Sequence, residues 1–208
     1  MLLAKICGLT ETTHVEKCLE YGASMCGFIL FYPKSHRNLS LDKAKELTSF
    51  KHSKANVAVM VQPDKSQLES IKNLNFQYYQ IYGDQTPDEI NEIKKSYDVK
   101  IIKALTIETK EDVLKYKKYE AADIILFDSI GKEKSLSFDH SLLKYVPTNI
   151  KKMVAGNIQI QDLEKISKIT DIDIIDCSGA VETERKKDLT KIKEFLLKVK
   201  EINENRTI

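Results

Sequence analysis

Apolar runs of strand length recur along the chain at a nearly regular interval, and amphipathic stretches of helix length separate them. Most runs are rich in valine, isoleucine, phenylalanine or tyrosine, which is typical of buried strands. The eight runs are LLAKICG from Leu2, MCGFILF from Met25, NVAVMV from Asn56, FQYYQIYG from Phe76, KIIKALTI from Lys100, DIILFDS from Asp123, KKMVAGNI from Lys151 and DIIDCSG from Asp173. The pattern predicts eight strands that alternate with helices.

Several of the intervening stretches begin with residues that cap helices. In TPDEINEIKKSY, Thr86 is the predicted N-cap, Pro87 the first helical residue and Glu89 the partner that completes a capping box. Ser40 and Asp64 stand in the N-cap position of SLDKAKELTSF and DKSQLESIKNL. Three helices are therefore predicted to begin directly after these caps.

Alternating strands and helices indicate a parallel sheet, because each crossover must return the chain to the same edge. No proline- or glycine-rich linker divides the chain, so residues 1–208 are predicted to form one domain. An open doubly wound sheet is the alternative, but it usually has fewer strands and a G-x-G-x-x-G loop after the first, which ICGLTET lacks. Eight units in this length are typical of an α/β-class, single-domain (β/α)8 TIM barrel, whose active site lies at the C-terminal ends of the strands.

Charge gives no reason to expect nucleic acid or a membrane surface as a partner. Lysine and arginine number 33 against 31 acidic residues, for a formal net charge of +2. The lysine-rich stretches at 115–118, 151–152 and 185–187 are interspersed with acids, which predicts solvated helix faces. No run approaches the ~20 apolar residues of a membrane span, and the N-terminus lacks a signal-peptide pattern.

The cysteines and histidines predict neither disulfides nor a metal site. The four cysteines show no C-x-x-C pair or zinc-ligand spacing, and a chain of this size does not need disulfide bonds. A reducing cytoplasm is therefore the expected location. Cys18 and Cys26 fall at apolar positions and are predicted to be core residues. The four histidines share no strand or helix face.

Strand alternation places a thiol and a lysine inside the predicted barrel. Leu3, Lys5 and Cys7 share one face of the first strand, and Ala4 and Ile6 share the other. The outer face must meet apolar helices, so Lys5 and Cys7 are predicted to point inward. A lysine there is costly unless it is paired or reaches the mouth of the barrel.

The same alternation predicts further polar groups at that mouth. Asp128 is predicted to face inward at the end of its strand, as is Lys103 on the preceding strand. Gln80 and Tyr82 share a face at the end of another strand, and Arg37 follows the second predicted strand. These groups would surround the thiol of the first strand.

Two of these groups have the features of an acid–base pair. Lys5 is expected to lower the pKa of Cys7 from its usual ~8.5, whereas burial is expected to raise the pKa of Asp128. Opposed shifts suit general acid–base chemistry. The residues alone leave alternatives open. Cys7 is also consistent with a small core residue, and Asp128 with a helix cap or an ion-pair partner of Lys103.

Two segments at the last strands suggest a phosphate site. VAGNI (154–158) and DCSGA (176–180) end apolar strands in small residues and precede helices. Backbone N–H groups at such turns attract an anion, and loops after the seventh and eighth strands are the usual phosphate position in these barrels.

Over nearly its full length the chain resembles the phosphoribosylanthranilate isomerase family, (β/α)8 barrels of tryptophan biosynthesis. The combination of K-I-C-G with a sixth-strand aspartate is the most specific part of this resemblance. The matching segments are KICGLT (5–10), GFILFYPKSHR (27–37), VAVMV (57–61), QIYGDQTP (80–87), IIKAL (101–105), ILFDS (125–129), SFDHSLL (137–143), VAGN (154–157) and DCSGAVE (176–182).

The resemblance implies a cofactor-free Amadori rearrangement of N-(5-phosphoribosyl)anthranilate to its 1-deoxyribulose isomer. Asp128 matches the family's general acid, Cys7 its general base, and Arg37 the arginine that holds the anthranilate carboxylate. Parts of the phosphate and ribose site are matched by Gly156, Asp176 and Ser178. The full predicted substrate-binding set is Lys5, Arg37, Gln80, Tyr82, Gly156, Asn157, Asp176, Ser178 and Gly179. The implied partner is a small phosphosugar, and the expected oligomeric state is monomer or homodimer.

The chain departs from the family pattern at several positions. Tyr82 stands where the family has histidine, His36 where it has proline, and Asn157 and Ala180 where it has glycine. SIGKEKSLS (129–137) replaces a glycine-rich loop, and DCSGAVETERKKD is one residue short. Two other functions therefore stay open: a non-catalytic phosphosugar-binding barrel, and an isomerase of a different aminoaldose phosphate.

Overall fold

The computed structural model of the protein describes residues 1–50, 52–129, 138–169 and 172–205. Strands and helices alternate along it. The strands are β1 (Leu3–Cys7), β2 (Met25–Leu30), β3 (Asn38–Leu39), β4 (Ala55–Val61), β5 (Tyr78–Tyr82), β6 (Lys100–Ile107), β7 (Ile124–Ser129), β8 (Lys152–Val154), β9 (Ile174–Cys177), β10 (Glu182–Thr183) and β11 (Lys186–Lys187). The α-helices are α1 (Thr12–Glu20), α2 (Leu41–Thr48), α3 (Lys65–Ile71), α4 (Pro87–Tyr97), α5 (Lys110–Leu114), α6 (Leu163–Ser167) and α7 (Leu189–Asn205). Short 3₁₀ helices span Lys115–Tyr119, His140–Tyr145, Ile160–Asp162 and Gly179–Val181.

Eight of the strands close into a parallel barrel. Their order is β1-β9-β8-β7-β6-β5-β4-β2, and β1 pairs with β2 as well as with β9, so the ring is complete. The short β3 pairs in parallel with the end of β2, and β10 and β11 form a separate antiparallel hairpin. Each of the eight apolar runs coincides with one barrel strand to within a residue at β4 and contains it elsewhere, which confirms the predicted (β/α)8 fold.

The predicted helix caps are confirmed. Thr86 and Glu89 form a capping box at the start of α4, where Pro87 is the first helical residue. The side chain of Ser40 caps α2, and that of Asp64 caps α3. These local hydrogen bonds fix where each helix begins after its strand.

The helical layer is thin after β7. In the described part of this connection, the helical element is the 3₁₀ helix His140–Tyr145 rather than the α-helix expected of a regular unit. Pro147 follows closely and restricts the residue before it to extended backbone, and Val146 accordingly has φ −102° and ψ 123°. An α-helix cannot continue through that position.

Side chains alternate between two apolar layers. Outward residues of the strands, such as Ile6 and Phe127, pack with the helices in the main core. Inward residues form a smaller cluster inside the barrel: Cys7, Met25, Val57, Val59, Ile102, Ala104, Ile124, Leu126, Met153, Ala155 and Ile174. The predicted inward orientation of Cys7, and of the face that ends in Asp128, is confirmed. Cys18 and Cys26 are fully buried in the main core, as predicted.

The prediction for Lys103 is wrong. It shares its face of β6 with Ile101 and Leu105, which belong to the outer core, so its side chain points away from the barrel interior. Its Nζ donates to the carbonyl of Gly83 at 2.6 Å and lies 5.1 Å from the ring centre of Tyr119. Burial lowers the pKa of Lys103 to about 8. The suggested Asp128–Lys103 ion pair is excluded by this orientation.

Two lysines from the supposed solvated faces are also buried. Lys152 lies in β8, and its Nζ donates to the carbonyl of Pro147 at 2.9 Å. Lys187 lies in β11 and is only 8% exposed. Both are strand residues, so the expectation of a helix surface was wrong for them. None of the described helices is long and apolar enough to cross a membrane.

Candidate active site

A cavity of about 420 Å³ opens at the C-terminal ends of the barrel strands. It brings together nine of the eleven predicted site residues: Cys7, Arg37, Tyr82, Asp128, Gly156, Asn157, Asp176, Ser178 and Gly179. The other two, Lys5 and Gln80, are fully buried beneath it and contact residues that line it. Residues of β1, β5, β7 and β9 that lie far apart in the chain therefore meet at one mouth.

Cys7 ends β1 with its thiol facing the cavity. Gly27 on the neighbouring strand makes room for it, since a Cβ there would lie 3.0 Å from both Cys7 Sγ and Lys5 Nζ. The hydroxyl of Ser178 donates to the Cys7 carbonyl at 3.0 Å and ties the ends of β1 and β9 together. All four cysteines, Cys7 included, are free thiols.

The predicted lowering of the Cys7 pKa is wrong in sign. Burial raises the pKa of this thiol, and the opposing effect of Lys5 is smaller. The reason is the neighbour of Lys5: its Nζ donates to Asp176 Oδ2 at 2.8 Å, and both side chains are almost fully buried. The carboxylate cancels much of the positive charge that would otherwise stabilise a thiolate.

Asp128 lies at the end of β7 across the barrel from β1. Burial raises its pKa to about 6, and a hydrogen bond from Tyr82 Oη to Asp128 Oδ2, 2.8 Å long, acts in the other direction. The predicted rise for Asp128 is confirmed, but the predicted opposed pair is not, because the pKa values of Cys7 and Asp128 are both raised. Each group therefore keeps its proton to a higher pH than it would in water.

Arg37 is fixed by Glu182, which is not among the predicted site residues. Glu182 in β10 accepts from Arg37 Nε at 2.5 Å and from Nη2 at 2.6 Å. Lys187 Nζ donates to the same carboxylate at 2.8 Å and to the carbonyl of Ser178 at 2.9 Å. Although burial acts to raise it, the hydrogen bonds from Arg37 and Lys187 lower the pKa of Glu182 to about 2.

The contact between Glu182 and Lys187 could have been predicted from the sequence of the β10–β11 hairpin. Glu182 and Lys187 are directly opposite in the β10–β11 register, and four residues separate them in the sequence. Reading the segment as two short strands around a two-residue turn predicts opposite charges facing each other. Lys187 was instead predicted to lie on a charged helix surface.

The predicted phosphate turns have suitable backbone. Gly156 and Asn157 both have positive φ, 105° and 48°, and asparagine adopts this region more readily than other residues with a Cβ. Asn157 therefore adopts positive φ without being a glycine. Gly179 and Ala180 follow β9 and also line the cavity. The loop 131–137, the other altered segment, lies outside the described residues.

Metal ligation has no support in the described part of the chain, where no three His, Cys, Asp or Glu side chains form a group that could hold an ion. The polar groups at the cavity are instead a thiol, two carboxylates, a phenol and a guanidinium. Such groups can exchange protons with a bound molecule and hold its anionic ends.

Known proteins are similar to this chain over almost its whole length. The sequence model of the family N-(5'phosphoribosyl)anthranilate (PRA) isomerase matches residues 4–198. The N-(5'-phosphoribosyl)anthranilate isomerase of Thermoanaerobacter pseudethanolicus is 31% identical over 208 residues, which cover 97% of this chain and 100% of the relative. The enzyme of the same name from Bacillus cereus is 32% identical, with 95% of this chain and 97% of the relative covered.

Solved structures show the same fold. The phosphoribosyl anthranilate isomerase of Thermotoga maritima superposes with a TM-score of 0.88 at 24% identity, over 97% of this chain and 100% of that one. A phosphoribosyl anthranilate isomerase in complex with reduced 1-(o-carboxyphenylamino)-1-deoxyribulose 5-phosphate gives a TM-score of 0.85 at 24% identity, with the same coverage. The sequence match over almost the whole chain decides the family: the chain belongs to the N-(5'-phosphoribosyl)anthranilate isomerases.

Proposed function

We propose that this chain, as a member of a family of isomerases of tryptophan biosynthesis, converts N-(5'-phosphoribosyl)anthranilate to 1-(2-carboxyphenylamino)-1-deoxyribulose 5-phosphate. Asp128 is the general acid and Cys7 the general base, and residues 1–208 act as one catalytic domain. The observation that carries the proposal is that Cys7 and Asp128, from β1 and β7, open onto the same cavity at the C-terminal end of the barrel.

The proposed reaction needs two proton transfers, one from the enzyme to the substrate and one from the substrate to the enzyme. Protonated Asp128 gives its proton to the furanose ring oxygen, the bond from that oxygen to C1′ breaks, and the nitrogen lone pair forms an iminium ion. The Cys7 thiolate then removes the proton from C2′, and the electron pair of that bond neutralises the iminium to give an enolamine. The enolamine tautomerises to the ketone, so substrate and product are isomers and no redox cofactor is consumed.

The two anionic ends of this substrate suit different groups at the cavity. Ile29, Val59 and Val61 give an apolar wall for the anthranilate ring near Arg37. Glu182 occupies the Nε–Nη2 side of the guanidinium, so the Nη1–Nη2 edge is left for the anthranilate carboxylate. The phosphate is assigned to the backbone around Gly156–Asn157 and Ser178–Gly179.

A family structure supports this choice of substrate by analogy. It is the complex described above, whose ligand is the reduced form of the proposed product. The four buried free thiols of this chain suit a reducing compartment such as the cytoplasm. Monomer and homodimer are both compatible with a site built within one barrel.

The test is turnover of the aminoaldose by purified protein and by two variants. Cys7→Ala and Asp128→Asn are expected to lower kcat by two to four orders of magnitude, roughly the contribution of a positioned acid or base. Cys26→Ala, a buried thiol on the outer side of β2, and Asp88→Asn, an exposed carboxylate in the first turn of α4, are the matched controls. Wild-type-like turnover in both site variants would refute the assigned roles.

Growth of a bacterial strain that lacks this isomerase, on medium without tryptophan, tests the function in a cell. Failure to grow together with phosphosugar binding by the purified protein would favour the non-catalytic barrel. Turnover of the aminoaldose phosphate of histidine biosynthesis, but not of the anthranilate substrate, would favour a different substrate.

A further inference from the structure

Tyr82 and Asp128 contact each other directly at the cavity, although they lie on strands that are not neighbours in the barrel. Tyr82 Oη donates to Asp128 Oδ2 at 2.8 Å, across the space between β5 and β7. Between these strands, β6 turns the small side chain of Ala104 toward the interior. The phenol therefore reaches the carboxyl over a neighbour that leaves room for it.

The direction of this hydrogen bond is set by a third residue. Gln80 Nε2, on the same face of β5, lies 3.2 Å from Tyr82 Oη, and an amide nitrogen can only donate. The phenol oxygen accepts from Gln80, so its single proton points to Asp128. Gln80 is fully buried, which holds the amide in place. Burial, followed by the nearby carboxylate of Asp128, raises the pKa of Tyr82, so the phenol keeps its proton.

We propose that Tyr82, oriented by Gln80, is the positioning residue for Asp128: it holds Oδ2 and leaves Oδ1 as the oxygen that carries the transferable proton. The inference rests on the proposed function in making Asp128 the acid. The phenol donates to Oδ2 and stabilises negative charge on that oxygen, so protonation is favoured on Oδ1, which carries no such hydrogen bond from Tyr82. The hydrogen bond also prevents the carboxyl from rotating, so the acidic proton keeps one direction.

The effect of removing the Tyr82 phenol on the Asp128 pKa depends on the other charged and polar groups around Asp128. β1 contributes Lys5 and Cys7, β9 contributes Asp176, and the backbone N–H of Ser129 donates to the carboxyl. The flanking strands β6 and β8 turn Ala104 and Met153 inward, which carry no charge. A substitution at Tyr82 therefore leaves these groups in place and removes one hydrogen bond that stabilises the carboxylate.

The first measurement is the titration of Asp128 without substrate. Protein labelled with ¹³C at the aspartate carboxyls is followed by NMR against pH, and Asp128→Asn identifies the signal. In Tyr82→Phe the Asp128 pKa is expected to rise by about one unit, because a hydrogen bond to a charged acceptor is lost. Gln80→Met is expected to give a smaller rise. Tyr78→Phe removes a phenol from the same face of the same strand and should leave the titration unchanged.

The second measurement is the pH dependence of turnover. In Tyr82→Phe the acidic limb of the kcat/KM profile is expected to move to higher pH by the same amount as the NMR titration. The maximal kcat should fall roughly tenfold, with KM changing less than threefold, because the carboxyl loses its fixed orientation. A merely structural role for Tyr82 would lower activity without moving the limb.

The two measurements separate the inference from the proposed function. An Asp128 titration that is the same in Tyr82→Phe and wild type would overturn the inference whether or not the protein is active. A shifted titration in a wild type that does not convert the aminoaldose would support the Tyr82–Asp128 contact and overturn the proposed function. Equal shifts in Tyr82→Phe and Tyr78→Phe would also overturn the inference.

Discussion

Glu182 accepts two hydrogen bonds from Arg37, one from Nε at 2.5 Å and one from Nη2 at 2.6 Å. This bidentate contact fixes the plane of the guanidinium. In the proposed function, the Nη1–Nη2 edge then binds the substrate carboxylate. Lys187 donates to the same Glu182 carboxylate, so one acidic side chain holds two cations, Arg37 after β2 and Lys187 in β11.

Glu182→Gln is expected to raise KM for the anthranilate substrate roughly tenfold and to leave kcat within about threefold. The amide replaces the charged carboxylate that accepts from Arg37, so the plane of the Arg37 guanidinium is no longer fixed. The proposed acid and base, Asp128 and Cys7, stay in place, so kcat changes little. Steady-state kinetics measures both constants. Glu184→Gln, an exposed residue two positions on, is the control. Unchanged KM in Glu182→Gln would show that Arg37 does not need this partner.

The contact between Arg37 and Glu182 shows why part of the site was beyond sequence reasoning. The two residues are 145 positions apart, and no local pattern links the loop after β2 to the hairpin after β9. Helix caps were predictable because Thr86 and Glu89 are three residues apart and interact locally. The inward face of β1 was predictable because its opposite face, with Ala4 and Ile6, is purely apolar.

Lys103 shows where strand alternation fails to predict which face of a strand points into the barrel. In IIKAL both faces of the strand are apolar apart from the lysine itself, so the pattern does not say which face is inside. The answer depends on the register with β5 and β7, where Ile102 pairs with Gln80 and Ile124. The direction of the Cys7 pKa shift was predicted wrongly for a related reason. Burial and the neutralisation of Lys5 by Asp176 are properties of the closed barrel.

The raised pKa values of Cys7 and Asp128 predict a particular pH profile. Between about pH 6 and the Cys7 pKa, the main form of the free enzyme carries a thiol and a carboxylate. The proposed active form, with a thiolate and a carboxylic acid, holds the same number of protons and is a constant minor fraction. We expect kcat/KM to fall below about pH 6 as Asp128 takes up its proton, and to fall again only above ~8.5 as Cys7 ionises.

Alkylation with iodoacetamide tests the thiol directly, because only the thiolate reacts. The Cys7 rate, taken as the difference between wild type and Cys7→Ala, should keep rising with pH beyond ~8.5. The other three cysteines are buried and define the background. A half-maximal rate near neutral pH would contradict the raised pKa and restore the simpler picture of an activated thiolate.

Lys5→Met is expected to lower the free energy of unfolding by about 3 kcal/mol. It leaves the Asp176 carboxylate without its 2.8 Å cation, and the loss lies at the lower end for a buried ion pair because Asp176 borders the cavity. Urea unfolding measures the change. Lys100→Met, at the exposed start of β6, should cost less than about 0.5 kcal/mol. Similar losses in the two variants would show that the buried pair contributes little.

The β10–β11 hairpin offers a stabilising change near the site. Its two turn residues, Glu184 and Arg185, have φ of 49° and 64°, a conformation that favours Asn-Gly over residues with long side chains. Replacing them with Asn and Gly is expected to raise the free energy of unfolding by about 1 kcal/mol, because the strain at positive φ is relieved. KM should not change, since Glu182 and Lys187 keep their positions.

Arg185→Ala separates relief of backbone strain from loss of the side chain. Both this variant and the Asn-Gly turn remove the exposed contact between Arg185 Nη2 and His36 Nδ1, 3.3 Å long, but alanine still has a Cβ at positive φ. Thermal or urea unfolding should therefore show no gain for Arg185→Ala and a gain for the Asn-Gly turn. Equal stability of the two variants would mean that the turn is not strained. The hairpin would then hold Glu182 against Arg37 without any cost in backbone conformation.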